Sequence, residues 1–427
     1  MGHDVTVADE FAGVVVAHFI VGNTYDYTNE TWMNDINIAS SSNIDGFALN
    51  VGADPWQPSR VQDAYDAAAS FVGDFKLFIS FDMTSLPCSE SNDAILLRSY
   101  ITNYTSHPNQ LYVDGKQMVS TFSGENCTFG TTDFNQGWMN ALKDGGLLDL
   151  SFIPAFFIPP ATLPNVTVAD GAFNWNAAWP EGDSDITFNS DSEYIANLGG
   201  RAYMASVSPW FFTHYGSNSY DKNFIYRGDD WLIAERWELL VQNMADISVV
   251  QIISWNDYGE SHYVGPMEGS LAGSQAWTDG FDHQEWLTLM RLYPAMAEAP
   301  DPVGVPMNAA YTQDYLWAMA FLATPGNVVL TCGSTTETWQ LSSGVSKLKL
   351  PLSSSCSVQA SISKDGVTTL KLNPPGFDFS TNPPSYNFNA FVAGSSPLIS
   401  TPPTSEKVIN EQETRDDNAG AKARIPG

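Results

Sequence analysis

Short runs of β-branched and aromatic residues alternate with amphipathic stretches from Val14 to Ser254. Helical spacing of apolar residues is clearest over Asp230–Ala245 and Ser59–Phe71, each of which lies between two such runs. Seven runs have the length and composition of buried strands: Val14–Ile20, Gly46–Val51, Lys76–Asp82, Lys116–Phe122, Leu150–Phe157, Ala202–Val207 and Val249–Trp255. This order predicts an α/β fold, a (β/α)8 TIM-type barrel whose eighth strand cannot be placed from the pattern. A doubly wound sheet is the alternative, but no GxGxxG or P-loop motif supports its nucleotide-binding forms.

The composition changes after a predicted helix, His283–Ala297, where Pro294, Pro300, Pro302 and Pro306 indicate a linker. Short alternating strands separated by Gly, Pro, Ser and Asn follow: Tyr315–Leu322, Val328–Cys332, Thr338–Leu341, Leu348–Leu352, Ser357–Ser363, Val367–Lys371 and Tyr386–Val392. They predict a C-terminal β-sandwich accessory domain. We therefore expect a catalytic barrel over 1–300, the sandwich over 301–395, and a flexible Pro-rich and charged tail over 396–427.

The formal charge of the chain is -30, from 18 basic and 48 acidic residues. Such a charge argues against binding nucleic-acid phosphates and against docking on anionic membranes. No apolar run approaches the roughly 20 residues that a membrane-spanning helix needs. Because 43% of the residues are hydrophobic and 13% aromatic, the chain can bury a large core. We expect a soluble protein that has neither nucleic acid nor membrane as a partner.

Four cysteines and four glycosylation sequons indicate an oxidising environment. The sequential pairings Cys88–Cys127 and Cys332–Cys356 keep each bridge within one segment, and each would contribute roughly 3–4 kcal/mol through loop entropy. No CxxC or Cys/His cluster supports a metal site instead. The sequons begin at Asn29, Asn103, Asn126 and Asn165. These features predict a secreted protein of the extracellular space or cell wall, with any signal peptide removed before Met1.

Acidic residues follow two predicted strands at the positions where a barrel carries its catalytic groups. Asp82 ends the third strand, and Asp257 and Glu260 follow the seventh. A lone Asp82 could equally hold a loop together, whereas Asp257 and Glu260 lie three residues apart in a loop without Lys or Arg. Hydrolysis of a glycosidic bond requires such a pair, one acid for the leaving oxygen and one carboxylate for water or the anomeric carbon. The sequence therefore predicts a glycosidase-type site, and its spacing allows either a retaining or an inverting separation.

Five segments carry a resemblance to a known family: Ala17–Asn23, Phe47–Gly52, Ser80–Met83, Tyr226–Asp230 and, most specifically, Trp255–Tyr263. They resemble glycoside hydrolase family 71, the fungal α-1,3-glucanases or mutanases. The resemblance implies a (β/α)8 barrel with an accessory β-sandwich and hydrolysis of α-1,3-glucan with inversion. It also implies that Asp257 and Glu260 are the catalytic acids and Asp82 a third essential carboxylate. On that basis we assign Glu260 as general acid and Asp257 as general base.

Sugar rings offer apolar faces to aromatic side chains and hydroxyl groups to polar ones. The candidates for binding them are His18, Trp56, Trp210, Trp255, Asn256, Tyr258 and His262. We expect an endo-acting monomeric enzyme whose partners are α-1,3-glucan and its oligosaccharides, and which needs no metal or cofactor. The alternatives are a barrel glycosidase for another polysaccharide and a non-catalytic glycan-binding cell-wall protein.

Overall fold

The structure, a computed structural model, describes residues 13–143, 149–288, 303–374, 377–381, 383 and 387–395. It has a mixed α/β fold built around a curled nine-stranded sheet. The first eleven strands are β1 (Val14–Ile20), β2 (Gly46–Val51), β3 (Lys76–Asp82), β4 (Tyr112–Val113), β5 (Lys116–Phe122), β6 (Leu150–Phe152), β7 (Gly171–Asn174), β8 (Ala202–Val207), β9 (Phe212–His214), β10 (Asn223–Ile225) and β11 (Val249–Ile252). Strands β9 and β10 form a separate antiparallel hairpin, and the other nine form the sheet.

The strand order of the sheet places β1 near its centre. The order is β4-β5-β3-β2-β1-β11-β8-β7, with β6 also paired to β5. Every pair is parallel except β4 with β5. Strands β6 and β7 are the outer parallel strands of the sheet. The N–H of Asp170, just before β7, donates to the carbonyl of Phe152 in β6, and the N–H of Phe173 in β7 donates to that of Pro154, both at 2.9 Å. Because the parallel strands point the same way, their carboxyl ends form one rim, where the loops after β1, β3 and β11 lie.

Side chains of the sheet alternate between two hydrophobic clusters. Val16, Ala48 and Phe78 belong to one cluster, which contains mostly residues of the strands and of the loops after them. Their chain neighbours Ala17 and Phe47 belong to the larger cluster, which also contains the buried faces of the helices. Both faces of the sheet are therefore covered, as parallel strands require.

Five of the seven predicted strands are confirmed at both ends, and two end early. Leu150–Phe157 stops at Phe152, and Val249–Trp255 stops at Ile252. The eighth parallel strand, which the pattern did not place, is β7. Its residues, Gly171–Asn174, include only two apolar side chains, Ala172 and Phe173, and therefore form no recognisable apolar run. Closure of these strands into a complete barrel stays a prediction.

The α-helices of the described residues are α1 (Asn29–Ser41), α2 (Gln57–Ser70), α3 (Ala94–Tyr104), α4 (Phe134–Trp138), α5 (Asn189–Leu198), α6 (Leu232–Gln242) and α7 (Gln275–Thr278). Helix α6 begins two residues later than predicted. The reason is that Asp230 and Trp231 have φ angles of 59° and 57°, which no right-handed helix allows. Of the predicted helix His283–Ala297, Gln284–Thr288 form a 3-10 helix, and residues 289–297 lie outside the described residues.

The C-terminal region contains two small antiparallel sheets. Strand β12 (Tyr315–Leu322) pairs with β15 (Gly344–Pro351), and β13 (Gly326–Cys332), β14 (Thr335–Leu341), β16 (Val358–Lys364) and β17 (Val367–Leu372) form the other in the order β14-β13-β16-β17. Six predicted strands are thus present, Tyr315–Leu322 with both ends as predicted and the other five with altered ends, whereas residues 387–392 of the seventh form no strand. Leu316, Leu330 and Leu350 share one hydrophobic cluster that draws on both sheets. The sandwich and the three domain limits stay predictions, and the tail over 396–427 lies outside the described residues.

Both predicted disulfides, Cys88–Cys127 and Cys332–Cys356, are present. The four sequon asparagines are all exposed, as glycosylation requires: Asn29, Asn103, Asn126 and Asn165. None of the helices in the described parts of the chain is long and apolar enough to cross a membrane.

Candidate active site

The loop after β11 carries the two predicted catalytic acids and closes on itself through backbone hydrogen bonds. The N–H of Ser254 donates to the carbonyl of His262, and the N–H of Val264 donates back to the carbonyl of Ser254. Within the loop, Gly259 packs on the side chain of Tyr215. A Cβ atom at this position would lie 2.5 Å from the tyrosine hydroxyl oxygen. Any larger residue at position 259 would therefore push the loop away from Tyr215.

Asp257, Glu260 and His262 converge at the rim of the sheet. One ligand atom of each side chain lies within 4.8 Å of those of the other two. The Nε2 atom of His262 is 3.2 Å from Glu260 Oε2 and 3.8 Å from Asp257 Oδ2. In addition, the N–H of Glu260 donates to Asp257 Oδ1 at 3.1 Å, which fixes the aspartate carboxylate on the loop. The structure thus brings the two predicted acids side by side.

Ser254, which the sequence analysis did not single out, supports this cluster from behind. Its hydroxyl oxygen accepts a hydrogen bond from the N–H of Asp257 at 2.8 Å and lies 3.0 Å from Nδ1 of His262. The His262 ring is fully buried and lies 5.8 Å from the ring of Trp179 and 5.7 Å from that of Phe211. The histidine is therefore held on both sides, which fixes the direction of its Nε2 atom toward the acids.

A lysine from a distant part of the sequence completes the site. Lys222 lies at the end of the β9–β10 hairpin, and its Nζ atom is 3.3 Å from Glu260 Oε1. The hairpin is held to the catalytic loop because the N–H of Phe212 donates to the carbonyl of Glu260 at 3.0 Å. The sequence analysis missed Lys222, since it lies 38 residues before Glu260 and follows no periodic pattern. The acids that looked unpaired in their own loop thus have a cationic neighbour.

The pKa values of the two carboxyl groups are shifted in opposite directions. Burial, together with the nearby charge of Glu260, raises the pKa of Asp257 to about 6. Burial also acts to raise the pKa of Glu260, but the hydrogen bond and charge of His262 and the charge of Lys222 outweigh it and hold that pKa below its usual value. Two close carboxylates with separated pKa values are the arrangement that supplies one acid and one base at the same pH.

His18 lies in β1 and is almost fully buried. Burial, reinforced by the neighbouring His262, lowers the pKa of His18 to about 3, so that its ring is neutral at moderate pH. Its Nδ1 atom is 3.1 Å from Nε2 of Gln251, and its ring meets the edge of Trp175 with 4.9 Å between centroids. His18 also interacts electrostatically with Glu260. The structure therefore places His18 beside the acids, where the sequence analysis expected a substrate-binding group.

Two other predicted binding residues instead hold the rim together. The side chain of Asn256 accepts a hydrogen bond from the N–H of Ile20 at 2.7 Å and donates to the carbonyl of the same residue at 3.0 Å. The Tyr258 hydroxyl donates toward the carbonyls of Pro266 and Glu268. Both side chains are fully buried. These hydrogen bonds position the loop, and the predicted binding role of Asn256 and Tyr258 stays a prediction.

Trp210 and Trp255 were expected to stack on sugar rings, and the structure places both in the main hydrophobic core. Trp255 is completely buried and lies 5.0 Å from the ring of Phe47. Trp210 is 3% exposed, and its indole nitrogen donates to the carbonyl of Phe388. Both rings are therefore packed in the core, and their predicted stacking on sugar rings stays a prediction.

Asp82 and Trp56 lie on the same rim but farther along the sheet. The Asp82 carboxylate accepts hydrogen bonds from the N–H and the hydroxyl of Thr84 at 3.0 and 2.6 Å. Within the described part of the chain, no hydrogen bond or ion pair joins Asp82 to the two acids of the β11 loop. Trp56 is half-buried and meets the edge of the exposed Tyr25 at 5.3 Å. The catalytic role of Asp82 and the binding role of Trp56 stay predictions.

Among the described residues, the group that could hold a metal ion is this same cluster of two acids and a histidine. A metal there would have to share the site with the ammonium group of Lys222, 3.3 Å from Glu260. Since the lysine already supplies a positive charge to this carboxylate, the donor set does not match a metal centre. The expectation that no metal is required stays a prediction.

Two adjacent carboxyl groups with separated pKa values, at the rim of a parallel sheet, fit the class of glycoside hydrolases. Residues 12–299 match the profile of glycosyl hydrolase family 71, and the chain belongs to that family, as the resemblance predicted. It is 41% identical over 413 residues to a glucan endo-1,3-alpha-glucosidase of Schizosaccharomyces pombe. These residues are 89% of this chain and 94% of the relative.

Two further relatives share less of the sequence. A mutanase of Penicillium rubens is 32% identical over 415 residues, or 88% of this chain and 88% of the relative. An ascus wall endo-1,3-alpha-glucanase of Schizosaccharomyces pombe is 34% identical over 308 residues, which are 69% of this chain and 68% of the relative. The chain is therefore a glycoside hydrolase.

Proposed function

We propose that this enzyme hydrolyses α-1,3-glucosidic bonds within α-1,3-glucan. The observation that carries the proposal is the Asp257–Glu260 pair, which lies with His262 in the loop that most specifically resembles the family. The names of the three relatives support the substrate, since they describe endo-1,3-alpha-glucanases and a mutanase. The substrate is taken from these relatives because a fold does not by itself fix what an enzyme cleaves.

The carboxyl pair supplies the acid and the base of the reaction. Between the lowered pKa of Glu260 and the pKa of Asp257, which is raised to about 6, the pair holds one proton and one negative charge. The protonated group donates to the leaving glycosidic oxygen, and the carboxylate acts on water. General acid-base catalysis of this kind typically contributes ~10²–10⁴-fold to the rate. The neutral His18 beside the pair is the group that we expect to bind a sugar hydroxyl.

The assignment of Glu260 as general acid and Asp257 as general base is a second part of the proposal. In the free enzyme the proton lies on Asp257, because His262 and Lys222 stabilise ionised Glu260. The assignment therefore requires the proton to pass to Glu260 when substrate binds. A glucosyl fluoride tests it, because fluoride leaves without protonation: Glu260→Gln should keep more activity on the fluoride than Asp257→Asn. The reverse order would exchange the two roles.

Inversion at the anomeric carbon is expected from the family resemblance. One oxygen of each carboxylate lies within 4.8 Å of the other, whereas inverting pairs are typically about 6.5–9.5 Å apart and retaining pairs about 5–5.5 Å. Inversion by Asp257 and Glu260 therefore requires that the two groups separate around the substrate, or that Asp82 provides the second carboxylate. The configuration of the first product decides between inversion and retention.

Three further expectations belong to the proposal. The parallel strands form a closed (β/α)8 barrel, and the two small sheets form a sandwich that braces it. Contacts between α6 and β15 support the brace, since Lys347 lies 2.6 Å from Glu235 and 2.7 Å from Glu238. Deleting residues 311–427 should then lower the melting temperature, whereas a stable truncation that only loses adhesion to glucan would identify a binding module. The enzyme is expected to be secreted, which the exposed sequons and paired cysteines favour. It is also expected to be monomeric.

The deciding experiment is incubation with insoluble α-1,3-glucan, with starch, dextran and β-1,3-glucan as alternative substrates and Asp257→Asn as the inactive control. We expect oligosaccharides from α-1,3-glucan alone, and β-anomers in the first NMR spectra before mutarotation. α-Anomers would keep the substrate but require a covalent intermediate. Release of sugar only from the other polymers would refute the proposed substrate, and binding without release would indicate a glycan-binding protein.

A further inference from the structure

A cavity of about 270 Å³ lies at the start of α6, away from the two catalytic acids. Its lining includes Ser184, Asp185, Arg227, Asp229, Trp231 and Glu235. Arg227 to Asp230 belong to a segment whose sequence resembles the family and which catalysis does not use. This segment therefore lines the cavity and lies outside the catalytic cluster.

A layer of aromatic side chains lies between the cavity and the catalytic cluster. Tyr226, which precedes the cavity residue Arg227, packs at 4.5 Å from Phe211 and at 5.5 Å from Trp179. Phe211 and Trp179 in turn contact His262. These ring contacts thus connect the segment beside the cavity with the histidine of the catalytic cluster.

The acidic residues of the cavity are neutralised by neighbouring groups. Arg227 forms ion pairs with Asp230 and, at 3.0 Å, with Asp185. Glu235 lies 2.6 Å from Lys347. Asp229 accepts a hydrogen bond from the N–H of Gln313 at 2.5 Å. Because these carboxylates already have cationic or N–H partners, the cavity suits a neutral polyhydroxylated ligand better than a metal ion or an anion.

The backbone is held in an unfavourable conformation to form this wall. Asp230 and Trp231 are consecutive residues with left-handed φ angles of 59° and 57°, a conformation that is unfavourable for residues with a side chain. Gly228 lies against Trp210, where a Cβ atom would come within 2.1 Å of a ring carbon. Such strain is typically retained where a site needs it.

Trp231 is fixed in place by the C-terminal region. Its indole nitrogen donates to the carbonyl of Ala318 at 3.1 Å, and its ring meets the edge of Trp317 at 4.8 Å. The Nζ atom of Lys349 lies 5.9 Å from the ring centroid. The side chain is half-buried and lines the cavity. A rigid, partly exposed indole beside hydrogen-bonding groups is a common way to recognise a sugar ring.

We propose that this cavity binds one glucosyl unit of the α-1,3-glucan chain, away from the bond being cleaved. The inference rests on the proposed function. The cavity volume lies just below the about 300–1,000 Å³ of pockets for drug-sized ligands, which fits a single pyranose ring. The aromatic and aliphatic side chains contact the faces of the ring, and the exposed Ser184 and Asp185 bind its hydroxyl groups.

Adsorption to insoluble α-1,3-glucan tests the inference, with Glu260→Gln as the background so that the polymer is not digested. Ser184→Trp places a large side chain at an exposed position of the cavity, and Thr187→Trp is the matched control in the same loop, outside the lining. We expect the adsorption constant to fall about tenfold in Ser184→Trp, which corresponds to roughly 1.4 kcal/mol. Thr187→Trp should adsorb like the background protein.

Arg227→Met is the second variant, in case the new tryptophan leaves room for the sugar. In otherwise active enzyme, both cavity variants should raise KM on the insoluble polymer and change kcat little. Equal adsorption of Ser184→Trp, Arg227→Met and Thr187→Trp would overturn the cavity inference. If wild-type enzyme released no sugar from α-1,3-glucan, the proposed function would fail instead, and the two failures are therefore distinguishable.

Discussion

Replacing Lys222 by Met should move the acidic limb of the pH–activity profile. The substitution removes an ammonium group 3.3 Å from Glu260 Oε1 and keeps most of the aliphatic stem. At that distance two unit charges interact by about 1.3 kcal/mol in bulk water and by about 5 kcal/mol at an effective dielectric constant of 20. Half of the Lys222 side chain is exposed, so solvent screening keeps the effect near the lower value.

A loss of about 1.4 kcal/mol corresponds to roughly one pH unit. Since Lys222 stabilises ionised Glu260, its removal favours the protonated group, and the active state with one proton is reached only at higher pH. We therefore expect the acidic limb of kcat/KM to move upward by about one pH unit. The shift should shrink at high salt, because the lysine is accessible to ions.

The assay is kcat/KM on a soluble α-1,3-linked oligosaccharide, measured across the acidic range at low and high salt. Lys222→Arg retains the charge and should restore the wild-type profile. Lys371→Met removes an exposed cation far from the site in sequence, in β17, and controls for the change in net charge. An acidic limb that is the same in Lys222→Met and in wild type would refute the argument that this lysine sets the ionisation of Glu260.

Three further outcomes are expected. Glu260→Gln and Asp257→Asn should keep the wild-type circular dichroism spectrum and lose at least ~10²-fold in kcat, and near-normal turnover in either variant would remove that residue from the mechanism. In wild type, kcat/KM should fall above about pH 6, because Asp257 loses its proton as the pH rises through its raised pKa, and a profile flat to pH 8 would contradict this ionisation. Asp191→Ala should cost about 3–5 kcal/mol in urea unfolding, since it leaves the fully buried Arg236 without the carboxylate 2.6 Å away, and a loss below 1 kcal/mol would count against that ion pair.

The sequence was most informative where a strand is formed by a long run of apolar residues. Strands such as β1 and β3 have seven residues each, and their ends were predicted correctly. Strand β7 has only two apolar side chains and was missed, because its identity comes from pairing with β8 rather than from its own pattern. The acids of the β11 loop were found because their spacing within one loop already matches the chemistry of glycosidic hydrolysis.

Residues that act from a distance, or from the opposite side of the chain, could not be predicted in this way. Trp255 was expected to line the cleft because it is close to Asp257 in sequence, yet successive side chains of an extended segment point in opposite directions. Its ring accordingly lies in the core. Lys222 is far from Glu260 in sequence and was therefore missed, since only the folded β9–β10 hairpin brings the two residues together.

The position of Lys222 depends in turn on the segment that leads into the C-terminal sheets. The N–H of Met307 donates to the carbonyl of Asn223, and the N–H of Ile225 donates back to the carbonyl of Met307, which pairs this segment with β10. On the other side of the hairpin, the N–H of Phe212 donates to the carbonyl of Glu260. The hairpin is therefore clamped between the catalytic loop and the start of the C-terminal region. The charge of Lys222 acts on Glu260 over a few ångströms. The packing of the C-terminal region against β10 therefore influences the ionisation of the catalytic pair.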